Sequence, residues 1–113
     1  MGLLKSTVGL LEAGNNVIVD DVCFEGEWQL RAWKQHLSKY PSLFIGITCD
    51  VGVLEEREQL RQDRMIGSAR IQSKIVHPGE EDLSLRCESG VMSNNTSQWY
   101  DVVIDSSVLD ERE

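Results

Sequence analysis

The stretch Leu43-Phe44-Ile45-Gly46-Ile47-Thr48-Cys49-Asp50 decides how this chain reads, because an uncharged run ends there on a carboxylate. A run with no polar face predicts a strand buried on both sides, as parallel sheets contain. Directly after it, Glu55-Glu56-Arg57-Glu58-Gln59-Leu60-Arg61-Gln62-Asp63-Arg64 is too charged for a core. It predicts a helix over 53–64, continued by residues 65–73 past Gly67 or a kink nearby. Upstream, Val17-Ile18-Val19-Asp20-Asp21-Val22 is a second β-branched run ending in carboxylates. Downstream, Tyr100-Asp101-Val102-Val103-Ile104-Asp105 is a third. Helices are predicted over 3–13, where Gly14 suits a C′ position, and over 26–40, where Pro41 stops the helix. Trp28, Trp33 and Tyr40 give that second helix an aromatic stripe for helix–sheet packing, with Trp28 also placed to border a pocket. Helices alternating with strands 17–22, 43–49 and 100–105 make an α/β fold: a parallel sheet with flanking helices and right-handed crossovers.

The chain has 113 residues, the length of one domain, and a net charge of -8. That charge is unevenly placed. Residues 1–79 carry nine basic and ten acidic groups, whereas 80–113 carry two and nine. A net acidic chain is a poor partner for nucleic acid. No apolar run approaches the roughly 18 residues of a membrane helix, so no membrane partner is expected. Residues 80–98 are polar and without period, which predicts a polar insert or disordered loop. Ile75-Val76-His77-Pro78-Gly79 precedes it, and His77 has no orienting partner that would make it a catalyst.

Met1-Gly2-Leu3-Leu4-Lys5-Ser6 fits the short myristoylation pattern but reads better as the start of an amphipathic helix. No secretory signal is visible, so a cytoplasmic location is expected and the overlapping sequons in Asn94-Asn95-Thr96-Ser97 would stay unmodified. Cys23, Cys49 and Cys87 form no CxxC pair, and no metal site is expected. Cys23 and Cys49 follow apolar runs and read as buried thiols.

Ligands of parallel α/β sheets bind beyond the carboxyl ends of the strands. Asp20, Asp21, Cys49, Asp50 and Asp105 fall there. Arg57, Arg61 and Arg64, spaced four and three apart, share one face of the predicted helix. Guanidinium forks match phosphate oxygens, so such a face suits a triphosphate. The alternative is a solvated face laced with Glu–Arg pairs. Asp20-Asp21 at a strand end suits a Mg²⁺ ion held directly or through water, or else an ordinary cap or turn. No Gly-x-x-x-x-Gly-Lys-Ser/Thr stretch occurs anywhere in these residues.

Several segments, taken in order, resemble the chloramphenicol phosphotransferase-like proteins. Leu11 to Val22 is similar to the segment before and through their third strand. Phe44 to Asp50 resembles their fourth strand, and Glu56 to Arg64 their arginine-rich lid helix. Ile75 to Gly79 and Tyr100 to Ser107 resemble the segments that close the fold. The resemblance implies a P-loop kinase that moves the γ-phosphate of ATP, with Mg²⁺, to a hydroxyl of a small-molecule acceptor. It implies that Arg57, Arg61 and Arg64 are the catalytic lid arginines that approach the phosphates. Asp20 and Asp21 match the acidic pair on the cofactor side of the third strand.

The family's phosphate loop and substrate-activating aspartate have no counterpart here. Residues 1–113 therefore read as a partial P-loop kinase domain, its sheet incomplete and its N-terminal P-loop strand missing. In the family order 2-3-1-4-5, strands 17–22 and 43–49 flank an empty slot, or else pair directly. Unpaired edges would favour self-association. Such a chain is expected to be catalytically inactive. Two rivals are a non-catalytic interaction or regulatory remnant that pairs through an exposed strand edge, and a nucleotide-binding protein of another P-loop branch.

Overall fold

A computed structural model describes residues 1–76, 91–93 and 99–108. The chain divides into two compact units, Met1–Ser42 and Leu43–Glu113.

The first unit is built on two helices, α1 (Gly2–Glu12) and α2 (Glu27–Leu37). α1 ends as Gly14 predicts. Gly14 takes φ 83°, its N–H donates to the Leu11 carbonyl, and the Asn15 N–H reaches the Leu10 carbonyl. These two bonds make a Schellman cap, which satisfies carbonyls that would otherwise be orphaned. Leu4 and Thr7 of α1 and Leu30 and Trp33 of α2 are buried. The Thr7 hydroxyl donates to the Leu3 carbonyl 2.9 Å away, so its burial leaves no polar atom stranded. The chain enters α2 through two left-handed residues, Cys23 (φ 55°) and Gly26 (φ 62°). Of the aromatic stripe, Trp33 is buried while Trp28 stays exposed.

Residues 17–22 are not a strand. They run without regular structure, and the Ile18 side chain is 100% exposed. The β-branched composition supports an extended chain, but a ladder needs a neighbouring strand, and among the described residues none pairs with this segment. A direct pairing of 17–22 with 43–49 is therefore not found among the described residues.

The second unit holds the sheet: β1 (Ile45–Thr48), β2 (Val91–Ser93) and β3 (Val102–Asp105), in the order β1-β3-β2. β1 and β3 are parallel, with Ile45 opposite Val102 and Thr48 opposite Asp105. Asp101 locks this register. Its carboxylate accepts the Phe44 N–H at 2.8 Å, and its own N–H donates to the Phe44 carbonyl at 2.7 Å. Gly46 lies under the buried Tyr100 ring, where an added Cβ would fall 2.5 Å from the ring carbon Cδ2. Val103, 2% exposed, is the centre of this core.

Three expectations are corrected in this unit. The all-parallel sheet is mixed, because β2 runs antiparallel to β3. That strand falls inside the stretch expected to be a loop; the rest of 80–98, with His77, Cys87 and the sequons, lies outside the described residues. β1 is not buried on both faces, since Leu43, Ile45 and Ile47 are largely exposed. Finally, the charged helix is shorter than 53–64. α3 spans Val51–Gln59, and a separate α4 spans Ser68–Val76. Leu60 is exposed, so no buried apolar contact favours prolonging α3.

Candidate functional site

The carboxyl ends of β1 and β3 lie side by side, and the chain leaves both through short polar residues. From β1 come Cys49 and Asp50, and from β3 comes a 3-10 turn, Ser106–Val108. Asp50 is the N-cap of α3, its Oδ1 accepting the Gly52 N–H at 2.9 Å and the Val53 N–H at 3.4 Å. The Asp50 N–H donates to Ser107 Oγ at 2.7 Å. Ser107 donates in turn, through Oγ at 2.5 Å and N–H at 2.9 Å, to Oδ1 of the buried Asp105. Ser106 Oγ donates to the Thr48 carbonyl at 3.0 Å. These bonds tie the two strand ends into one polar cluster.

Arg57 reaches back from the last turn of α3 to this cluster. Its Nη2 donates to the Ser106 carbonyl at 2.9 Å, and Nη1 lies 3.4 Å from Ser106 Oγ and 3.6 Å from Cys49 Sγ. The guanidinium thus straps α3 to the ends of both strands. Three arginines on one helical face are not what the structure contains. Only Arg57 is on the helix, while Arg61 and Arg64 lie in the connection 60–67 and are exposed.

That connection is closed from behind by Glu58. Its side chain, 4% exposed, accepts the Gly67 N–H at 2.8 Å, the Ala69 N–H at 3.0 Å and the Ser68 hydroxyl. A carboxylate of α3 therefore caps α4, where amide dipoles favour negative charge. The Ser68 hydroxyl and the Gly67 amide hold the Glu58 carboxyl below its ordinary range, since they bond the ionised form. Nearby, Arg70 grips Glu55 with two bonds, Nε at 2.7 Å and Nη2 at 3.2 Å. The hydrogen bond from Arg70 holds Glu55 low as well.

Asp20 and Asp21 belong to the first unit. Asp20 is exposed. Asp21 is engaged locally: Oδ2 accepts Gln29 Nε2 at 2.6 Å and Trp33 Nε1 at 3.3 Å, and Oδ1 accepts the Cys23 N–H at 3.4 Å. It staples the left-handed turn to α2. Burial, and then the Asp21 charge, push the Cys23 thiol up to about 11. The expected pocket near Trp28 is a shallow hollow bordered also by Trp33, Asp21, Glu25 and Gln29.

Arg61 and Arg64 offer exposed guanidinium forks, which match phosphate oxygens. Asp21 has both oxygens bonded, and among the described residues no three His, Cys, Asp or Glu side chains are placed to hold a metal ion. Sequence reasoning missed Glu58, Ser106 and Ser107. The two serines carried a faint signal as small polar residues directly after a strand. Glu58 carried none, because its partners lie nine to eleven residues away across a loop. Among the described residues no helix is long and apolar enough to cross a membrane.

In comparisons with known proteins, no curated protein and no solved structure gives a significant match. One family model does match, that of the chloramphenicol phosphotransferase-like proteins, over residues 1–113.

Proposed function

The chain belongs to the chloramphenicol phosphotransferase-like family, and from that premise we propose that it carries the phosphate-clamping lid of a kinase acting on a small-molecule hydroxyl. The observation that carries this is the α3–α4 corner. One arginine, Arg57, is fixed to the carboxyl ends of the parallel strands, and two more, Arg61 and Arg64, are presented on a closed connection. ATP, with Mg²⁺, supplies the transferable phosphoryl group and the compensating charge when bound. The chain's own part is to bind and orient. Arg61 and Arg64 grip phosphate oxygens as forks, and Arg57 sets where the lid meets the sheet. Asp20, whose side chain is exposed, keeps the cofactor-binding role that the resemblance implies, whereas Asp21 serves the turn that starts α2.

In this reading residues 1–113 form part of a P-loop kinase domain. Phosphoryl transfer depends on positioning and charge stabilisation by a phosphate loop, and none occurs among these residues. The purified chain with MgATP and chloramphenicol therefore shows no phosphorylated product above a protein-free blank; clear turnover refutes the inactivity. Inorganic tripolyphosphate, titrated by NMR, shifts the Arg61 and Arg64 side-chain signals. Arg61→Ala weakens that binding about tenfold, as loss of one charge-assisted contact implies. An unchanged affinity returns the arginines to a solvated face.

A second reading, a non-catalytic interaction module, draws on the exposed Ile45 and Ile47 on one face of β1 and the exposed Leu43 just before it. Sedimentation separates it: a stable self-associated species without polyphosphate binding favours the module.

A further inference from the structure

Most carboxylates in a glutamate–arginine run point to water, yet Glu58 is buried and bonded to three groups at the start of the next helix. Its neighbours in the run behave differently: Glu55 pairs with Arg70, and Arg57 turns to the strand ends. Residues 60–67, between α3 and α4, hold both exposed arginines. An eight-residue connection between two short helices has many conformations of its own, and its end-to-end closure costs entropy. Glu58 removes that freedom by joining the last turn of α3 to Gly67, Ser68 and Ala69. Gly67 adopts φ 94°, a left-handed conformation that glycine takes without strain and that turns the chain into α4. A second tie, the Glu55–Arg70 fork, spans the same two helices.

We propose that Glu58 is a positioning residue. By joining α3 to the start of α4 it orders the 60–67 connection, and so holds in place the segment that presents Arg61 and Arg64 to a polyphosphate. Glu58 touches no ligand. This inference rests on the phosphate-lid reading above and adds the device that orders it.

The test uses the whole chain and two substitutions. Glu58→Gln keeps the shape of the side chain and removes its charge, and Arg61→Ala removes a proposed ligand contact. Amide hydrogen exchange reads the clamp, and tripolyphosphate titration reads its consequence. In Glu58→Gln, protection at Gly67 and Ala69 falls about tenfold or more while β1 and β3 stay protected, and tripolyphosphate binding weakens about tenfold. Arg61→Ala weakens binding and leaves Gly67 and Ala69 protected. Retained protection in Glu58→Gln overturns the clamp. Lost protection with unchanged binding overturns the positioning role. Full tripolyphosphate affinity in Arg61→Ala instead overturns the lid reading, and the exchange data then show whether the clamp stands as a structural feature only. Should Glu58→Gln fail to fold, Ser68→Ala, which removes one of the three bonds and no charge, gives a smaller loss in the same direction at both readouts.

Discussion

Val17-Ile18-Val19-Asp20-Asp21 and Val102-Val103-Ile104-Asp105-Ser106 are nearly the same sequence, yet they have opposite fates. The second is β3, parallel to β1 on one side and antiparallel to β2 on the other, with Val103 2% exposed. The first has no ladder among the described residues, and Ile18 is 100% exposed. Their carboxylates differ too. Asp105 is buried and receives two bonds from Ser107, whereas Asp21 holds a turn onto α2. β-branched side chains favour an extended backbone, but a strand exists only where another strand satisfies its N–H and C=O groups.

The largest effect should come from Gly46, on the strand that β3 needs. Gly46→Ala places a Cβ against the Tyr100 ring and costs about 3 kcal/mol in urea unfolding of the second unit. A neutral result would mean that β1 and β3 are not in this register. Next comes the direct contrast between the two runs. Val103→Ala costs about 2 kcal/mol through lost burial and the cavity left behind, while Ile18→Ala stays within about 0.5 kcal/mol. Equal costs would show that 17–22 is packed after all. Asp21→Asn follows, at about 1 kcal/mol, since an amide offers one acceptor oxygen where three donors converge. Tryptophan emission, dominated in this unit by Trp28 and the bonded Trp33, should shift to the red.

The smallest effect is a pH dependence at the α3–α4 corner. Glu55 and Glu58 have folded pKa values below the ordinary 4.5, so their stabilisation is complete above that value. It is lost as pH falls through the lower folded values. Helicity of the α3–α4 corner should therefore weaken on acidification below 4.5, and Glu58→Gln should flatten part of that change. An acid transition unaltered in Glu58→Gln would place its origin elsewhere.

Much of the fold was legible. Gly14 marked the end of α1, Pro41 lay just beyond α2, and the charge pattern announced helix after Asp50. The two apolar runs ending on acids marked 43–49 and 100–105 as strands of a parallel sheet, and Ile45–Thr48 does pair in parallel with Val102–Asp105. The proposed arginine site was half legible. Spacing of four and three placed Arg57, Arg61 and Arg64 on one face only if the helix continued, and it stops at Gln59. Periodicity describes a helix that exists; it does not say where tertiary contacts cease to reward one.

By itself, then, the sequence determined the local signals: which segments favour helix, which favour an extended chain, where turns fall, and which residues bear charge. These are properties of a few neighbouring residues and survive any surroundings. Only the tertiary structure decided that Val102–Asp105 is a strand and 17–22 is not, that Glu58 is a buried clamp rather than a solvated acid, and that Arg57 faces the sheet while Arg61 and Arg64 face solvent. Each of those outcomes depends on a partner distant in the chain, because backbone pairing, burial and long-range hydrogen bonds are set by what folds against a residue and not by what flanks it.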